Sequence, residues 1–256
     1  MRALVVLLAI QLVSVTDEIA IGKQAQADVK RQTPQLSDSA VTAYVSRIGR
    51  QLAAHAQGAK YPYSFSVANY REINAFALPG GPVWVNRGAI QAAGNEAQLA
   101  AVLAHEVAHV AQRHSATQLS NAMVTNLGLN LLGALLGNNG GANAANIAAR
   151  YVASGAFLKF SRDDEREADR VGAQILSRAG WDSRGMIELL QTIREQEKHD
   201  PSSVEVFFSN HPSPKDRVAL LPRVVTRAGK GRRDSPEFQS IRARLKSLPP
   251  ARSMTR

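Results

Sequence analysis

His105, Glu106 and His109 form the pattern H-E-x-x-H. On a helix, residues four apart lie one turn apart on the same face. Two imidazoles at that spacing can share one zinc ion, with Glu106 beside them as a base for the water on that ion. Burying such a cluster without a cation would be costly. The chemistry implied is metal-assisted hydrolysis.

A catalytic zinc site usually has three protein ligands. His114 follows His109 by five residues, which on a continuing helix is a rotation of about 140°. It is therefore expected at the surface or in packing, not at the metal. A longer H-x-x-G-x-x-H pattern is also absent, because Gln112 and Ser115 stand where it needs Gly and His. Glu165 is the better candidate. Its helix would bury Ala168, Val171, Gly172, Ile175, Leu176 and Ala179. At about 100° per residue, Glu165 falls roughly 60° from the centre of that face and Glu167 roughly 110° away. Asp169 comes one turn after Glu165. A carboxylate there can take the free N–H of a metal-bound His and fix its tautomer.

The elements that must position these groups are legible around them. From Glu96 to His114 the chain has a helical pattern, with Leu99, Val102, Leu103, Val107 and Val110 on its apolar side. Asn95 followed by Gln98 resembles a capping box at its start. Ser161 reads as the N-cap of the helix holding Glu165, and the acids behind it favour the positive helix end. Upstream, Glu18 to about Arg31 and Ser37 to Ala56 read as helices. The second has Val41, Tyr44, Val45, Ile48 and Leu52 on one side. Tyr63 to Val67 alternates like a strand. Ile73 to Leu78 and Val83 to Val85 flank Pro79-Gly80-Gly81-Pro82 and read as a hairpin. Ala122 to Leu136 is apolar but interrupted by Asn126 and Asn130, a buried helix or a membrane-facing flap. Gly137 to Asn143 reads as a flexible break. Ser183 to Glu197 is a further helix, and Ser213-Pro214 begins the last core helix, with Pro at its first position.

The chain has 256 residues, 45% of them hydrophobic and 20% charged, as in a globular protein. It has no cysteine, which excludes disulfides, thiolate metal ligands and a catalytic thiol. The net charge is +10, and eight of those charges fall between Pro222 and Arg256, where ten Lys and Arg face Asp234 and Glu237. That stretch reads as a solvated, partly helical tail or as a patch attracted to anionic lipid. With Phe238 its one aromatic, nucleic acid is the weakest partner. Met1-Arg2 followed by the apolar run Ala3 to Val13 matches the core of a signal peptide, with a poorly formed cleavage site near Ser14 to Thr16. An uncleaved anchor or a first core helix are the other readings.

Four segments occur in order: Asn74-Ala-Phe-Ala-Leu-Pro-Gly-Gly81, His105-Glu-Val-Ala-His109, Ser161-Arg-Asp-Asp-Glu-Arg-Glu-Ala-Asp169 and His211-Pro-Ser-Pro-Lys-Asp-Arg217. Together they resemble the gluzincin zinc metalloproteases: HtpX, the CAAX-prenyl endopeptidases, the OMA-type proteases and the periplasmic BepA-like proteases. The resemblance covers about Glu18 to Leu221 and is nearest the soluble periplasmic branch. The chain departs from BepA in lacking a tetratricopeptide domain and from HtpX in lacking clear transmembrane helices.

The resemblance implies an α+β, mostly α-helical fold with a small β-sheet whose edge strand lines the cleft. Residues 17–221 would be the protease domain, 1–16 a signal peptide or anchor, and 222–256 a basic tail. One Zn2+ would sit on His105, His109 and Glu165, with Glu106 as base and Asp169 behind a His ligand. Arg217 would lie near the oxyanion. His211 would either donate to that oxyanion or occupy the water position as a fourth ligand, a gate, which is the favoured role. The strand Ile73 to Leu78 would form the upper lip and pair with an extended peptide through Asn74, Ala75 and Phe76. Asn74 would hold the peptide or brace the lip. The expected activity is cleavage of unfolded or misassembled envelope proteins in the periplasm. The competing reading is an assembly factor for outer-membrane proteins with a gated or silent site.

Overall fold

A computed structural model describes residues 12–135, 159–211, 217, 221, 225 and 231–254, without the side chains of 126–135. The elements in order are α1 (Val15–Gln32), α2 (Ser39–Ala53), β1 (Ser64–Ala68), β2 (Ala75–Ala77), β3 (Pro82–Asn86), α3 (Arg87–Ala92), α4 (Glu96–Ala111) and α5 (His114–Leu135). After the next described residues come α6 (Arg162–Arg178), α7 (Arg184–His199), a 3-10 turn (Pro201–Ser203), α8 (Glu205–Asn210) and α9 (Pro236–Ser247). The fold is α+β and mostly helical, as expected.

All residues of α4 are buried, so the helix bearing the histidines is the axis of the core. Apolar residues on every side of the helix favour that place, and its buried polar groups (Glu96, Gln98, His105, Glu106 and His109) need partners there. Its start is closed from two sides. Asn95 Oδ1 accepts from Gln98 N–H at 3.0 Å, while Gln98 Oε1 accepts from Gly94 N–H at 2.9 Å, one residue earlier than a capping box would place it. The N–H groups of Glu96 and Ala97 donate to Asp234 Oδ1 and the Arg233 carbonyl, so a distant segment satisfies donors that a helix end leaves free. On α6 the expected cap is complete: Ser161 and Asp164 exchange side-chain and backbone hydrogen bonds.

The sheet has the order β1-β3-β2, with β1 and β3 parallel and β3 and β2 antiparallel. Strand alternation divides it cleanly. Phe65, Val67, Ala75, Ala77, Val83 and Val85 face the main core. Phe76 and Trp84 face the other way, stacked at 6.3 Å, and are covered by Ala25 and Val29 of α1. Residues 34–36 bond to the free side of β1, through Leu36 N–H to the Val67 carbonyl and Asn69 N–H to the Pro34 carbonyl. β2 is the edge strand on the other side.

At the N-terminal end, Val13 is buried beside Ala116 and Leu119, and Ser14 caps α1 through a capping box with Asp17. At the C-terminal end the structure differs from the sequence reading. The segment read as a solvated tail contains α9, whose Phe238, Ile241 and Leu245 join the main core. Its cations are partly committed: Arg232 to Glu96, Arg233 to Glu188 and Arg244 to Asp38. The apolar spacing of 238, 241 and 245 is helical; the charge count hid it. Residues 1–11, the Gly137 to Asn143 break and the Ser213-Pro214 helix start lie outside the described residues. Among the described residues no helix is long and apolar enough to cross a membrane.

Candidate metal centre

Three elements converge on one buried point. His105 and His109 project from α4, Glu165 from the first turn of α6, and His211 follows the short helix α8. Among the described residues these four form a group whose ligand atoms all lie within 4.8 Å of one another. The two imidazole Nε2 atoms are 3.0 Å apart. Glu165 Oε2 is 3.5 Å from His105 Nε2, and Glu165 Oε1 is 3.3 Å from His109 Nε2. His211 Nδ1 lies 2.8 Å from Glu165 Oε1, and its Nε2 lies 3.6 Å from Glu106 Oε1.

The outward ring atoms fix what the inward atoms can do. His105 Nδ1 faces Asp169 Oδ1 at 3.1 Å. An ionised carboxylate only accepts, so this contact favours a proton on His105 Nδ1. His109 Nδ1 is 2.8 Å from His114 Nδ1, and His114 Nε2 faces Glu167 at 3.5 Å and Asp164 at 3.9 Å. Those acids draw the His114 proton to Nε2, which leaves its Nδ1 to accept from His109. With those protons outward, both inward Nε2 atoms can turn lone pairs toward a shared cation beside the Glu165 carboxylate. The donor set of two imidazole nitrogens and one carboxylate oxygen fits zinc.

Burial pushes His105 down, but Asp169 and Glu165 outweigh it and hold it up at about 10, so a proton and a cation compete for its Nε2. Burial pushes the Glu165 carboxyl up, but His211, Arg217 and His105 outweigh it and hold it well below the usual range. It stays an anion. Burial keeps His109 well below its ordinary value, hence neutral and able to ligate. Burial raises Glu106, and His211 and His105 offset this only in part. A carboxylate shifted that way is a stronger base.

The remaining expected residues are placed as follows. Asp169 backs His105. Arg217 lies behind the carboxylates: Nε and Nη2 bond to Asp169 at 2.7 Å each, and Nη1 to Glu165 at 2.6 Å. That position braces the ligand helix, whereas the resemblance put Arg217 at the oxyanion. Asn74 is buried, and its Oδ1 has no hydrogen-bond partner among the described residues. Leu78 N–H donates to Pro82 O and Asn86 N–H to Asn74 O, so the main-chain groups of Asn74 and Leu78 point toward β3. By antiparallel alternation those of Phe76 do too, and those of Ala75 and Ala77 point to the open edge. The Ala77 N–H reaches the Glu106 carboxylate. Phe76, offered as a substrate contact, has its ring on Trp84 instead.

The sequence reading missed Ala77, Phe160 and the contact made by His114. Phe160 stacks on the His109 ring at 3.8 Å. The 140° argument for His114 assumed a continuous helix. α4 ends at Ala111, and Arg113 takes φ 62°, so the chain turns and brings His114 back onto His109.

Comparison with known proteins agrees with this geometry. Residues 39–225 match the model of peptidase family M48. The beta-barrel assembly-enhancing protease of Escherichia coli K12 is 33% identical over 213 residues, which is 80% of this chain and 43% of that protein. The protein of the same name from Yersinia pestis is 32% identical over the same shares. The mitochondrial metalloendopeptidase OMA1 of Schizosaccharomyces pombe is 32% identical over 180 residues, 70% of this chain and 52% of that one. The chain spans less than half the length of the bacterial relatives. With an H-E-x-x-H helix, a carboxylate from a second helix and a family match over most of its length, the chain belongs to the metallopeptidases of family M48.

Proposed function

We propose that the chain is a zinc-dependent endopeptidase that cleaves unfolded or misassembled envelope proteins in the periplasm. One observation carries the chemical part: ring nitrogens of His105 and His109 converge with a carboxylate oxygen of Glu165, while Glu106 lies against the edge of β2 at Ala77. Bound zinc would supply Lewis acidity and make water acidic enough to attack near neutral pH. An extended peptide adds to β2 through the main-chain groups of Ala75 and the carbonyl of Ala77, whose N–H is held by Glu106, which sets the peptide carbonyl beside Glu106. Glu106 Oε2 has no partner among the described residues and takes the proton of the attacking water. It then passes that proton to the leaving amine. Main-chain pairing tolerates many sequences, which suits unfolded substrates. Asp169 fixes His105, and Arg217 holds Asp169 and Glu165 in place. The names of the bacterial relatives and the apolar run Ala3 to Val13 support an envelope setting.

The second reading is an assembly factor for outer-membrane proteins with a gated or silent site. It is favoured by the placement of His211 between Glu165 and Glu106. Zinc content and cleavage of unfolded casein, measured in wild type and Glu106→Gln, separate the two. Cleavage by wild type alone, with zinc in both, supports the enzyme. Zinc in both and cleavage by neither supports the assembly factor.

A further inference from the structure

The segments flanking the family match, α1 before residue 39 and residues 231–254 after residue 225, meet the same element from opposite ends. That element is the lip, the run from Glu72 to Gly81 that contains β2. At its far end lies the turn Pro79-Gly80-Gly81-Pro82. α1 packs directly on this turn: a Cβ on Gly22 would stand 1.7 Å from the Pro79 carbonyl oxygen. Gly80, at φ 74°, meets the helix from the other side, where a Cβ would stand 2.5 Å from Ile19 Cα. α1 is itself fastened to the body. Its buried Glu18 accepts from Arg113 Nε at 2.6 Å and from Tyr61 Oη at 3.1 Å.

At the near end lies Glu72, a fully buried carboxylate two residues before Asn74. Besides the adjacent Arg71, its partners come from the last described residues of the chain. Ser253 Oγ donates to it at 2.6 Å and Met254 N–H at 3.0 Å. Arg71 N–H donates to the Arg252 carbonyl at 2.9 Å, and Arg252 N–H to the Asn69 carbonyl at 3.0 Å. This strap is held by the end of α9 and the residues that follow it, where the carbonyls of Leu245, Leu248 and Pro249 accept from the Arg87 guanidinium. Buried polar atoms need such partners, so Glu72 fixes the strap as firmly as the strap fixes Glu72.

We propose that α1 and the Arg252–Met254 strap clamp the two ends of the lip and thereby set the affinity for extended peptide. The clamp rests on the reading of β2 as the peptide-docking edge. A three-residue strand has few hydrogen bonds of its own, so its register depends on what holds its ends. Gly22 and Glu72 are positioning residues: neither belongs to the metal group, and each acts through the lip.

Two full-length variants test this with two readouts. Gly22→Ala puts a methyl group against the turn, although alanine favours the helix itself. The double variant Arg252→Pro, Met254→Pro removes the two strap N–H donors. Hydrogen exchange at Leu78 and Asn86, whose N–H groups bond across β2 and β3, reports on the lip. Steady-state cleavage of labelled unfolded casein reports on peptide binding. Both variants are expected to keep their metal, exchange about tenfold faster at these amides and raise KM several-fold with kcat within about twofold. Arg47→Ala, which removes an exposed ion pair with Glu237, is expected to change neither. Unchanged lip exchange in both variants overturns the clamp. Faster exchange with KM unmoved upholds the fastening of the lip but overturns its control of peptide affinity, and with it the peptide reading of β2. If the proline variant does not fold, Gly22→Ala and Ser253→Ala decide alone.

Discussion

His114 Nδ1 lies 2.8 Å from His109 Nδ1, and the far nitrogen of His114 faces Glu167 and Asp164. The metal-facing His109 is thus oriented by a second imidazole rather than directly by a carboxylate. His105 has the direct arrangement, with Asp169. Partners of this kind fix ring orientation and tautomer, and losing one typically weakens metal binding about 10- to 100-fold. His114→Ala is expected to weaken zinc binding by that amount, as read by competition with a chromophoric chelator. Zinc affinity equal to wild type would remove His114 from the support of the site.

Glu165 and Glu167 sit two residues apart on α6 and face different partners. Glu165 is fully buried among the histidines, while Glu167 is half exposed and touches His114 at 3.5 Å. Glu165→Ala is expected to abolish zinc retention on gel filtration. Glu167→Ala is expected to retain zinc with at most a few-fold loss of affinity. Metal analysis giving the reverse would overturn the assignment of the third ligand.

Much of the site was legible because it rests on short-range periodicity. Helical spacing places His105 beside His109, and the buried face of α6 selects Glu165 over Glu167. What was not legible depends on breaks and on partners distant in sequence. The rotation argument for His114 fails because Arg113 adopts a left-handed backbone, held by Glu18 some ninety residues upstream. Nothing near position 113 announces that partner. The placement of Arg217 behind Asp169 depends on how the chain returns to α6. Strand alternation alone marks Ala75 or Phe76 without saying which edge is open; the order β1-β3-β2 decides it. In the basic C-terminal segment, the helical spacing of Phe238, Ile241 and Leu245 was present, but net charge described it as a tail.

Glu72 gives the strap a pH dependence. Burial pushes its carboxyl up, but Ser253, Met254 and Arg71 outweigh this and hold it below its ordinary value of 4.5. A group whose folded pKa is depressed contributes stability above its unfolded pKa and loses it as pH falls through the folded value. The strap is therefore expected to hold at neutral pH and to loosen only below the ordinary carboxylate range. Hydrogen exchange at Met254 between about pH 5 and pH 3, corrected for intrinsic rates, checks this. Protection that falls in wild type but stays level in Glu72→Gln is the expected result. The same fall in both proteins would point to another titrating group.

His211 is the one member of the metal group that no regular helix fixes along its length. It follows the six-residue helix α8, held by its N–H bond to the Phe207 carbonyl at 2.8 Å and by stacking on Phe207 at 4.9 Å. His105 and His109 share the rigid, wholly buried α4 and cannot leave independently. In the proposed gate, His211 would withdraw when a substrate or partner moves α8, as loop-borne elements can. In the gate role, resting zinc has three His and one Glu as ligands, which closes the tetrahedron as in structural zinc sites. His211→Ala is then expected to retain zinc while basal casein cleavage and self-cleavage rise. X-ray absorption on resting wild type is expected to count three imidazoles. Two imidazoles in that spectrum, together with activity lost in His211→Ala, would place His211 at the oxyanion as a donor and defeat the gate.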